Sequence, residues 1–181
     1  MVSNGVFGAA THGVPLFETH GITMKFTHLI EINDPLNPLI APLSRRQLWH
    51  GLVLRAEAPN LFMPHLDECT ISERAEESMR RELRYGSVVI RDRVTLVPQQ
   101  QVQYRVPAQT DIAASSLDVT IEEPQAGLLY VRFAYDDGHA DDDSEAEAMY
   151  NDFRRSAYEE ADIDTIRIIR EMAAAGRFGQ F

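Results

Sequence analysis

An α+β fold, with a curved seven-stranded antiparallel sheet wrapped around a long C-terminal helix, is the architecture that this sequence predicts. Between Leu66 and Tyr135, apolar and polar residues alternate in six short runs separated by turn residues, a pattern typical of strands. One more alternating run precedes them, and a long segment of helical periodicity follows them. An antiparallel sheet of this size has one face to cover, and the terminal helix is the element available to cover it.

The first predicted elements are a strand and a short helix. The run "KFTHLIEIN" (25–33) alternates as a strand does, and the prolines at positions 35, 38 and 42 then prevent a regular helix. Ser44 is suited to cap the helix that follows, with Gln47 three residues later as its capping-box partner. Gly51 in this helix would let it approach a neighbouring element closely.

Six central strands follow, separated by short breaks. We predict them near residues 68–75, 78–85, 88–97, 101–107, 115–122 and 128–136. The breaks between them are marked by Gly, Pro and polar residues. Together with strand 25–33, these runs supply the seven strands of the predicted sheet.

The long helix spans about residues 143–175, with Asp142 or Asp143 as its cap and Gly176 at its end. Its predicted core-facing residues are Met149, Phe153, Ala157, Ala161, Ile166, Ile169 and Met172 or Ala173. A curved sheet that wraps around one long helix is the helix-grip arrangement. Sheet and helix diverge at one end of such a fold, which tends to leave a cavity.

The composition limits the classes of function. The 181 residues suit one domain with a sizeable core, and the net charge of −11 disfavours nucleic acid or an anionic membrane as the main partner. No run approaches the ~20 apolar residues of a membrane span. Because Cys69 is the single cysteine, no intramolecular disulfide can form, and we expect a cytoplasmic protein.

The motifs of metal and cofactor sites are missing from the sequence. The histidines lack metal-ligand spacing, and there is no phosphate-binding or dinucleotide-binding motif. The acidic run Asp136–Glu147 does not have the spacing of a calcium loop and is better interpreted as a solvated loop. We therefore expect no metal and no cofactor.

Two regions of the chain differ in pattern. Residues 1–23 are rich in glycine and show neither a strand nor a helix period, so we expect a flexible N-terminal extension. They also lack the basic start and the apolar run of a signal peptide. The patterned domain spans residues 24–177, and Met24 is a candidate for the true start of translation.

The segment "RRELRYGSVVIRDRV" (80–94) has the pattern of two strands joined by a tight turn. A type II′ turn at Gly86-Ser87 makes the numbers of opposed residues sum to 173. Arg81 is then opposite Asp92, and each interrupts an otherwise apolar row. Because an unpaired charge there would cost several kcal/mol, we expect the two side chains to form an ion pair on the concave face.

Other polar residues also interrupt core-facing rows, His28 in the first strand and Glu73 in the second. The candidate ligand-binding residues are His28, Glu73, Arg81, Asp92, Tyr104 and Phe153. A few convergent polar groups in an apolar cavity can orient a small ligand. Each also has a structural explanation: the Arg–Asp pair can fix strand register, His28 can be a core histidine, and Glu73 can lie beyond the packed part of its strand. The sequence identifies no catalytic residue.

Four segments together resemble a known family. They are "KFTHLIEINDPLNP", "LSRRQLWHGLVLRAEAPNLFMPHLDECTI", "RRELRYGSVVIRDRV" and "DIDTIRIIREMA". They look like the acetylaranotin-cluster protein L-like family of the START/Bet v 1-like (SRPBCC) superfamily of helix-grip domains. The resemblance runs from about Met24 to Arg177 and implies a ligand-sized cavity between the sheet and the long helix. It implies no particular activity, because relatives in the superfamily include lipid carriers, hormone receptors and polyketide cyclases.

Three functions remain open at this point. The first is binding of a small, mostly hydrophobic molecule. The second is a polyketide cyclase- or aromatase-like enzyme that uses His28 or Asp92 for proton transfer. The third is a structural partner protein without a ligand. An Asp92 paired with Arg81 is a poor acid, which weighs against the second, and a cavity filled by side chains would favour the third.

Overall fold

The computed structural model describes residues 23–140 and 145–179, and its elements follow the predicted order. They are β1 (Thr23–Asn33), α1 (Arg45–Glu57), a 3-10 turn (Pro59–Leu61), β2 (Glu68–Arg74), β3 (Ser78–Tyr85), β4 (Val88–Val97), β5 (Gln101–Val106), β6 (Ser115–Gln125), β7 (Leu128–Ala140) and α2 (Glu145–Ala174). The strands form one antiparallel sheet in the order β1-β7-β6-β5-β4-β3-β2. The predicted α+β arrangement of a seven-stranded sheet and a long terminal helix is confirmed.

The hairpin of β3 and β4 has the predicted register. Tyr85 is opposite Val88 and Arg81 is opposite Asp92, as a two-residue turn requires. Gly86 has φ of +59°, and among the described non-glycine residues only Gln99 and Asp111 have positive φ. One positive φ at the first turn position is the pattern of a type II′ turn.

Strand β7 is longer than predicted. It continues to Ala140, which pairs with Thr23 of β1, so residues 136–140 belong to a strand and not to the predicted acidic loop. Pairing with β1 explains the difference, because a partner strand can hold polar residues extended where their composition favours a loop. The predicted caps of α2, Asp142 and Asp143, lie outside the described residues.

Helix α1 begins as the sequence predicts. The Ser44 hydroxyl accepts a hydrogen bond from the Gln47 amide at 3.1 Å, and the Gln47 side chain accepts one from the Ser44 amide at 2.9 Å. Farther along α1, a Cβ on Gly51 would lie 2.6 Å from Cγ1 of Ile169 in α2. The predicted close approach at Gly51 is therefore confirmed, and the neighbour is α2.

The second half of α2 packs as predicted, and the first half does not. Ile166 and Ile169 are buried, whereas Met149 and Phe153 are 74% and 72% exposed. The predicted core position of Phe153 is wrong, and the two alanines of that stripe are exposed as well. A helix turns by about 100° per residue, so a stripe with constant spacing of four rotates by about 40° at each step. The buried and half-buried residues of this region are instead Asn151, Arg154, Tyr158, Asp162 and Thr165.

One core lies between the two helices and one face of the sheet, which we call the inner face. Its fully buried members include Leu48, Leu52, Val94, Val102, Val119, Val131, Phe133 and Ile169. Neither of the described helices is long and apolar enough to cross a bilayer. The opposite, outer face of the sheet carries most of the charged side chains of β2 to β6.

Candidate functional site

The Arg81–Asp92 ion pair lies on the inner face, as predicted. Arg81 Nε donates to Asp92 Oδ1 at 3.0 Å and Nη2 donates to Oδ2 at 2.5 Å, and the two side chains are only 2% and 5% exposed. Arg81 Nη1 also donates to the Ala56 carbonyl oxygen at 2.7 Å. The guanidinium therefore ties β3 and β4 to the C-terminal end of α1, and all three of its nitrogens have partners.

A second buried polar group joins β1, β7 and α2. Asp162 is fully buried, its Oδ1 accepts a hydrogen bond from the Tyr135 hydroxyl at 2.6 Å, and its Oδ2 lies 3.4 Å from Nδ1 of His28. His28 is opposite Phe133 of β7, which confirms its predicted place on the inner face. These three side chains form a hydrogen-bonded unit across three elements.

The environment of this unit changes its acidity. Burial raises the pKa of the Asp162 carboxyl to about 6, although Tyr135, Arg55 and His28 act to lower it. Burial also raises the pKa of the Tyr135 phenol, and the neighbouring Asp162 raises it further. Tyr135 therefore keeps its proton at neutral pH, and Asp162 changes its protonation closer to neutrality than an exposed aspartate does.

Arg55 and Tyr104 lie between the two polar groups. The guanidinium carbons of Arg55 and Arg81 each lie 5.2 Å from the centroid of the Tyr104 ring. Arg55, in the last turn of α1, is 6% exposed, and its Nε has no hydrogen-bond partner. Burial lowers the pKa of Arg55, but the nearby Tyr104, Tyr135 and Asp162 outweigh it and leave the pKa raised. The guanidinium is therefore a permanently charged group inside the protein.

A recess of about 400 Å³ opens above these groups, between the ends of β5 to β7, the loop 107–114 and α2. We call it the tyrosine recess, because Tyr104, Tyr135 and Tyr158 line it together with apolar residues such as Val106, Ile112 and Leu117. Its polar lining residues are Asp111, Ser115, Ser116 and Asp136. The rings of Tyr135 and Tyr158 are stacked, with centroids 4.3 Å apart and planes at 5°. Tyr104 and Tyr135 thus connect an aromatic recess to the buried charges beneath it.

The outer face of the sheet carries a larger depression of about 1090 Å³. Its charged lining includes Glu73, Arg80, Glu82, Arg91, Arg93 and Arg105. Several of these side chains pair with one another on the surface, as Arg80 does with Glu73 and Arg91 with Glu82. The larger depression also borders Arg81 and Asp92, but the ionic groups of that pair are buried and bind each other. We place the candidate site in the tyrosine recess despite its smaller volume, because two of its lining residues, Tyr104 and Tyr135, contact the buried charges of Arg55 and Asp162.

Of the six predicted site residues, only Tyr104 lines the tyrosine recess, and Phe153 is exposed on α2. Arg81 lies over the Tyr104 ring and pairs with Asp92, whereas His28 belongs to the separate unit with Asp162. Glu73 is also misplaced by the prediction, because a register shift between Ile71 and Glu73 turns its side chain to the outer face opposite Arg80. A β-bulge of this kind reverses the alternation of side chains beyond it.

Sequence reasoning missed four residues of the site: Arg55, Tyr135, Tyr158 and Asp162. A signal existed for two of them, since Arg55 follows Leu52 by three residues and Asp162 precedes Ile166 by four. Both are charged residues on an apolar stripe at helical spacing.

Among the residues that the structure describes, no three His, Cys, Asp or Glu side chains come close enough to hold a metal ion.

Comparisons with known proteins bear on the fold and the family. The family model described as "Acetylaranotin biosynthesis cluster protein L" matches residues 30–176. The Zhui aromatase/cyclase from Streptomyces sp. R1128 is similar in structure, with a TM-score of 0.57 and 11% identity over 85% of this chain and 95% of that one. No curated protein matches the sequence.

Two further solved structures share the fold. The di-domain ARO/CYC StfQ from the steffimycin biosynthetic pathway has a TM-score of 0.63 and 8% identity over 85% of this chain, which spans about half of that protein (51%). Protein MLL2253 from Mesorhizobium loti has a TM-score of 0.53 and 11% identity over 82% of this chain and 98% of that one. At such identities the likeness shows the helix-grip fold alone.

Proposed function

The chain belongs to the acetylaranotin biosynthesis cluster protein L family, and from this premise we propose that it binds a small, mostly hydrophobic molecule in the tyrosine recess. The observation that carries the proposal is the recess itself, about 400 Å³ with aromatic walls and a few buried polar groups beneath it. Sites for small molecules typically have ~300–1,000 Å³ and this mixture of apolar wall and placed polar groups.

Two arguments support a ligand over a purely structural role. The open recess is space that side chains do not fill, whereas a protein that merely retained the fold would gain stability by filling it. Solved structures that share the fold include one named an aromatase/cyclase and one from the steffimycin biosynthetic pathway. The fold alone does not decide function, so the proposal rests on the recess and not on the structural similarity to these proteins.

The test is native mass spectrometry of the protein purified from its own host. We expect an additional mass from a bound small molecule in the wild type. Ala113 is exposed and lines the tyrosine recess, so Ala113→Trp should block the recess and remove that mass. Its neighbour Ala114 lines the outer depression, so Ala114→Trp is a matched control that should retain the molecule. A molecule lost in Ala114→Trp but not in Ala113→Trp would contradict this site, and an empty wild-type protein would contradict binding.

A second candidate function is an enzyme of the polyketide cyclase or aromatase type. The observation that favours it is the Tyr135–Asp162–His28 unit, because Tyr135 lines the recess and donates its hydroxyl proton toward a buried carboxyl with a pKa of about 6. Such a unit is suited to proton transfer near neutral pH. Asp92 is not suited to it, since both of its oxygens accept hydrogen bonds from Arg81.

The mass of the bound molecule separates the two functions. If the protein is an enzyme, Tyr135→Phe should lower turnover and leave unconverted substrate bound, so the variant should carry a molecule of different mass. If the protein only binds, Tyr135→Phe should carry the same molecule as the wild type. Glu31→Gln, on an exposed part of β1, is a control that should leave the mass unchanged in either case.

A further inference from the structure

Arg55 is a buried cation without an ion-pair partner among the described residues. Among the described residues no carboxylate lies within ion-pair distance of its guanidinium, and its Nε donates no hydrogen bond. Arg81, 5.2 Å from the same Tyr104 ring, differs in having a bidentate carboxylate and a backbone carbonyl as partners. Buried charges are normally paired, and each buried polar group without a partner calls for an explanation.

The nearest carboxyl group does not supply the missing partner. Both oxygens of Asp162 are engaged, one by the Tyr135 hydroxyl at 2.6 Å and the other by His28 at 3.4 Å. The ring of Tyr104 offers a cation–π contact to Arg55, and the C-terminal end of α1 favours a cation. Tyr104 also forms a side-chain hydrogen bond with Arg55, but Nε is left without a partner.

The tyrosine recess reaches the two tyrosines that neighbour this guanidinium. Tyr104, whose ring contacts Arg55, lines the recess, and so does Tyr135, which also acts on the charge of Arg55. Arg55 itself is not part of the lining, so a ligand group has to pass between these two tyrosines to reach it. An ionic hydrogen bond formed there is strong because the guanidinium is withdrawn from water.

We propose that the molecule bound in the tyrosine recess carries an acidic oxygen group, such as a carboxylate, and that Arg55 pairs with it. This inference rests on the proposed function, since it concerns the same recess. It adds the chemical class of the ligand, an aromatic or otherwise apolar body with one anionic group. A guanidinium suits this group because its planar donors can bind a carboxylate in a bidentate manner.

The overall charge of the protein makes the inference testable. With a net charge of −11, the protein as a whole repels anions. A preference for an anionic ligand over a neutral one of equal size must therefore come from a local cation. The natural ligand is not needed for this test, because a pair of matched probes reports the preference.

The probes are naphthalene-2-carboxylate and naphthalene-2-carboxamide, titrated calorimetrically into the full-length protein. We expect the wild type to bind the carboxylate at least about tenfold more tightly than the carboxamide. Arg55→Met should abolish the preference while retaining weak binding of both probes, and Arg55→Lys should retain part of it. Arg45→Met is the matched control, because Arg45 lies on the same helix but forms a surface ion pair with Glu123; it should keep the full preference.

The outcomes separate this inference from the proposed function. Equal affinities of the wild type for the two probes would overturn the pairing with Arg55 and leave the proposed function intact. A preference unchanged in Arg55→Met would do the same. Binding of neither probe would overturn both. The comparison of the two probes on the wild type tests the pairing even if Arg55→Met fails to fold. Arg55→Lys is a second variant that keeps a positive charge at this buried position.

Discussion

Arg81 and Asp92 form a buried ion pair in which either charge alone would destabilise the folded protein. Both side chains are nearly fully withdrawn from water, and the guanidinium also holds the last turn of α1 through the Ala56 carbonyl. Removing one partner leaves a buried charge without compensation, whereas replacing both by apolar residues removes the charge and its desolvation cost together.

We therefore predict that Arg81→Ala and Asp92→Ala each lower the free energy of unfolding by about 3–5 kcal/mol. The double variant Arg81→Leu with Asp92→Leu should recover much of this loss, which denaturant titration will measure. The exposed pair of Arg84 and Glu68 on neighbouring strands is the control, and Arg84→Ala should cost at most about 1 kcal/mol. Single variants that are nearly silent and strictly additive would refute the coupling.

Asp162 makes the stability of the protein depend on pH. Its pKa rises from 3.8 to about 6 on folding, so between these values the folded state binds more protons than the unfolded chain. The stabilisation that this difference provides is complete below about pH 4 and is lost as the pH rises through about 6. The groups that face Asp162 are His28 of β1, Arg55 of α1 and Tyr135 of β7.

We predict that Asp162→Asn removes this dependence. The stability of the wild type relative to the variant should fall by on the order of 2–3 kcal/mol between pH 4 and pH 7, measured by chemical denaturation at each pH. Surface carboxylates contribute equally to both proteins and cancel. The same comparison with His28→Gln in both proteins tests whether His28 contributes to the slope. Parallel pH curves for wild type and variant would show that Asp162 does not titrate in this range.

The turn between β3 and β4 depends on one backbone conformation. Gly86 has φ of +59°, and a Cβ at this position would meet no other atom within 4 Å. Any cost of a side chain there comes from the backbone and not from a steric clash with the rest of the protein. β-Branched residues rarely adopt this conformation.

We predict that Gly86→Val destabilises the protein by about 1–3 kcal/mol, as judged by the denaturation midpoint. Ser87→Val, in the same turn but without a positive φ, should change the midpoint much less. The two variants introduce the same side chain at adjacent positions, so a difference between their midpoints reports the cost of placing valine at a positive φ. Equal effects would mean that the side chain and not the turn conformation sets the cost.

The contact between α1 and α2 depends on a second glycine. A Cβ on Gly51 would lie 2.6 Å from Cγ1 and 2.7 Å from Cγ2 of Ile169, too close for either to remain in place. Alanine favours a helix over glycine by about 1 kcal/mol, but overpacking a core typically costs about 1–3 kcal/mol. The two effects on stability oppose each other. Because the β-branched Ile169 side chain cannot move away easily, we expect the cost of overpacking to exceed the gain in helix propensity.

We predict that Gly51→Ala lowers the melting temperature despite its higher helix propensity. Combined with Ile169→Ala, which removes the clashing atoms, the same substitution should become stabilising relative to Ile169→Ala alone. Differential scanning calorimetry of the four proteins gives this coupling directly. A Gly51→Ala variant that is more stable than the wild type would show that the helices separate at little cost.

At the scale of the whole molecule, the buried core belongs to the sheet, α1 and α2. The largest fully buried side chains of the described residues run from Ile32 in β1 to Ile169 in α2. Residues 1–22 lie outside the described part of the chain, and their sequence has no strand or helix period.

We predict that a chain beginning at Met24 melts within a few degrees of the full-length protein, because it retains the whole core. A thermal melt followed by circular dichroism checks this. The loss of the Thr23–Ala140 pairing at the end of β1 should lower the melting temperature by no more than these few degrees. A large drop in melting temperature would show that the N-terminal segment contributes to the stability of the folded domain.

The sequence by itself determined the strands, the β3–β4 register and the pairing of Arg81 with Asp92. These depend on local rules: side chains alternate along a strand, and a two-residue turn determines which residues are opposite each other. The start of α1 is local in the same way, because Ser44 and Gln47 are three residues apart.

Only the tertiary structure decided how the candidate site is assembled. A bulge turned Glu73 to the outer face, and the docking of α2 placed Asp162 and not Phe153 against the sheet. His28 and Asp162 are 134 residues apart in the chain, and Arg55 reaches Tyr104 from another element. These contacts depend on the orientation in which the two helices pack on the curved sheet. That orientation is set by the packing of all the side chains together, so no short segment of the sequence predicts it.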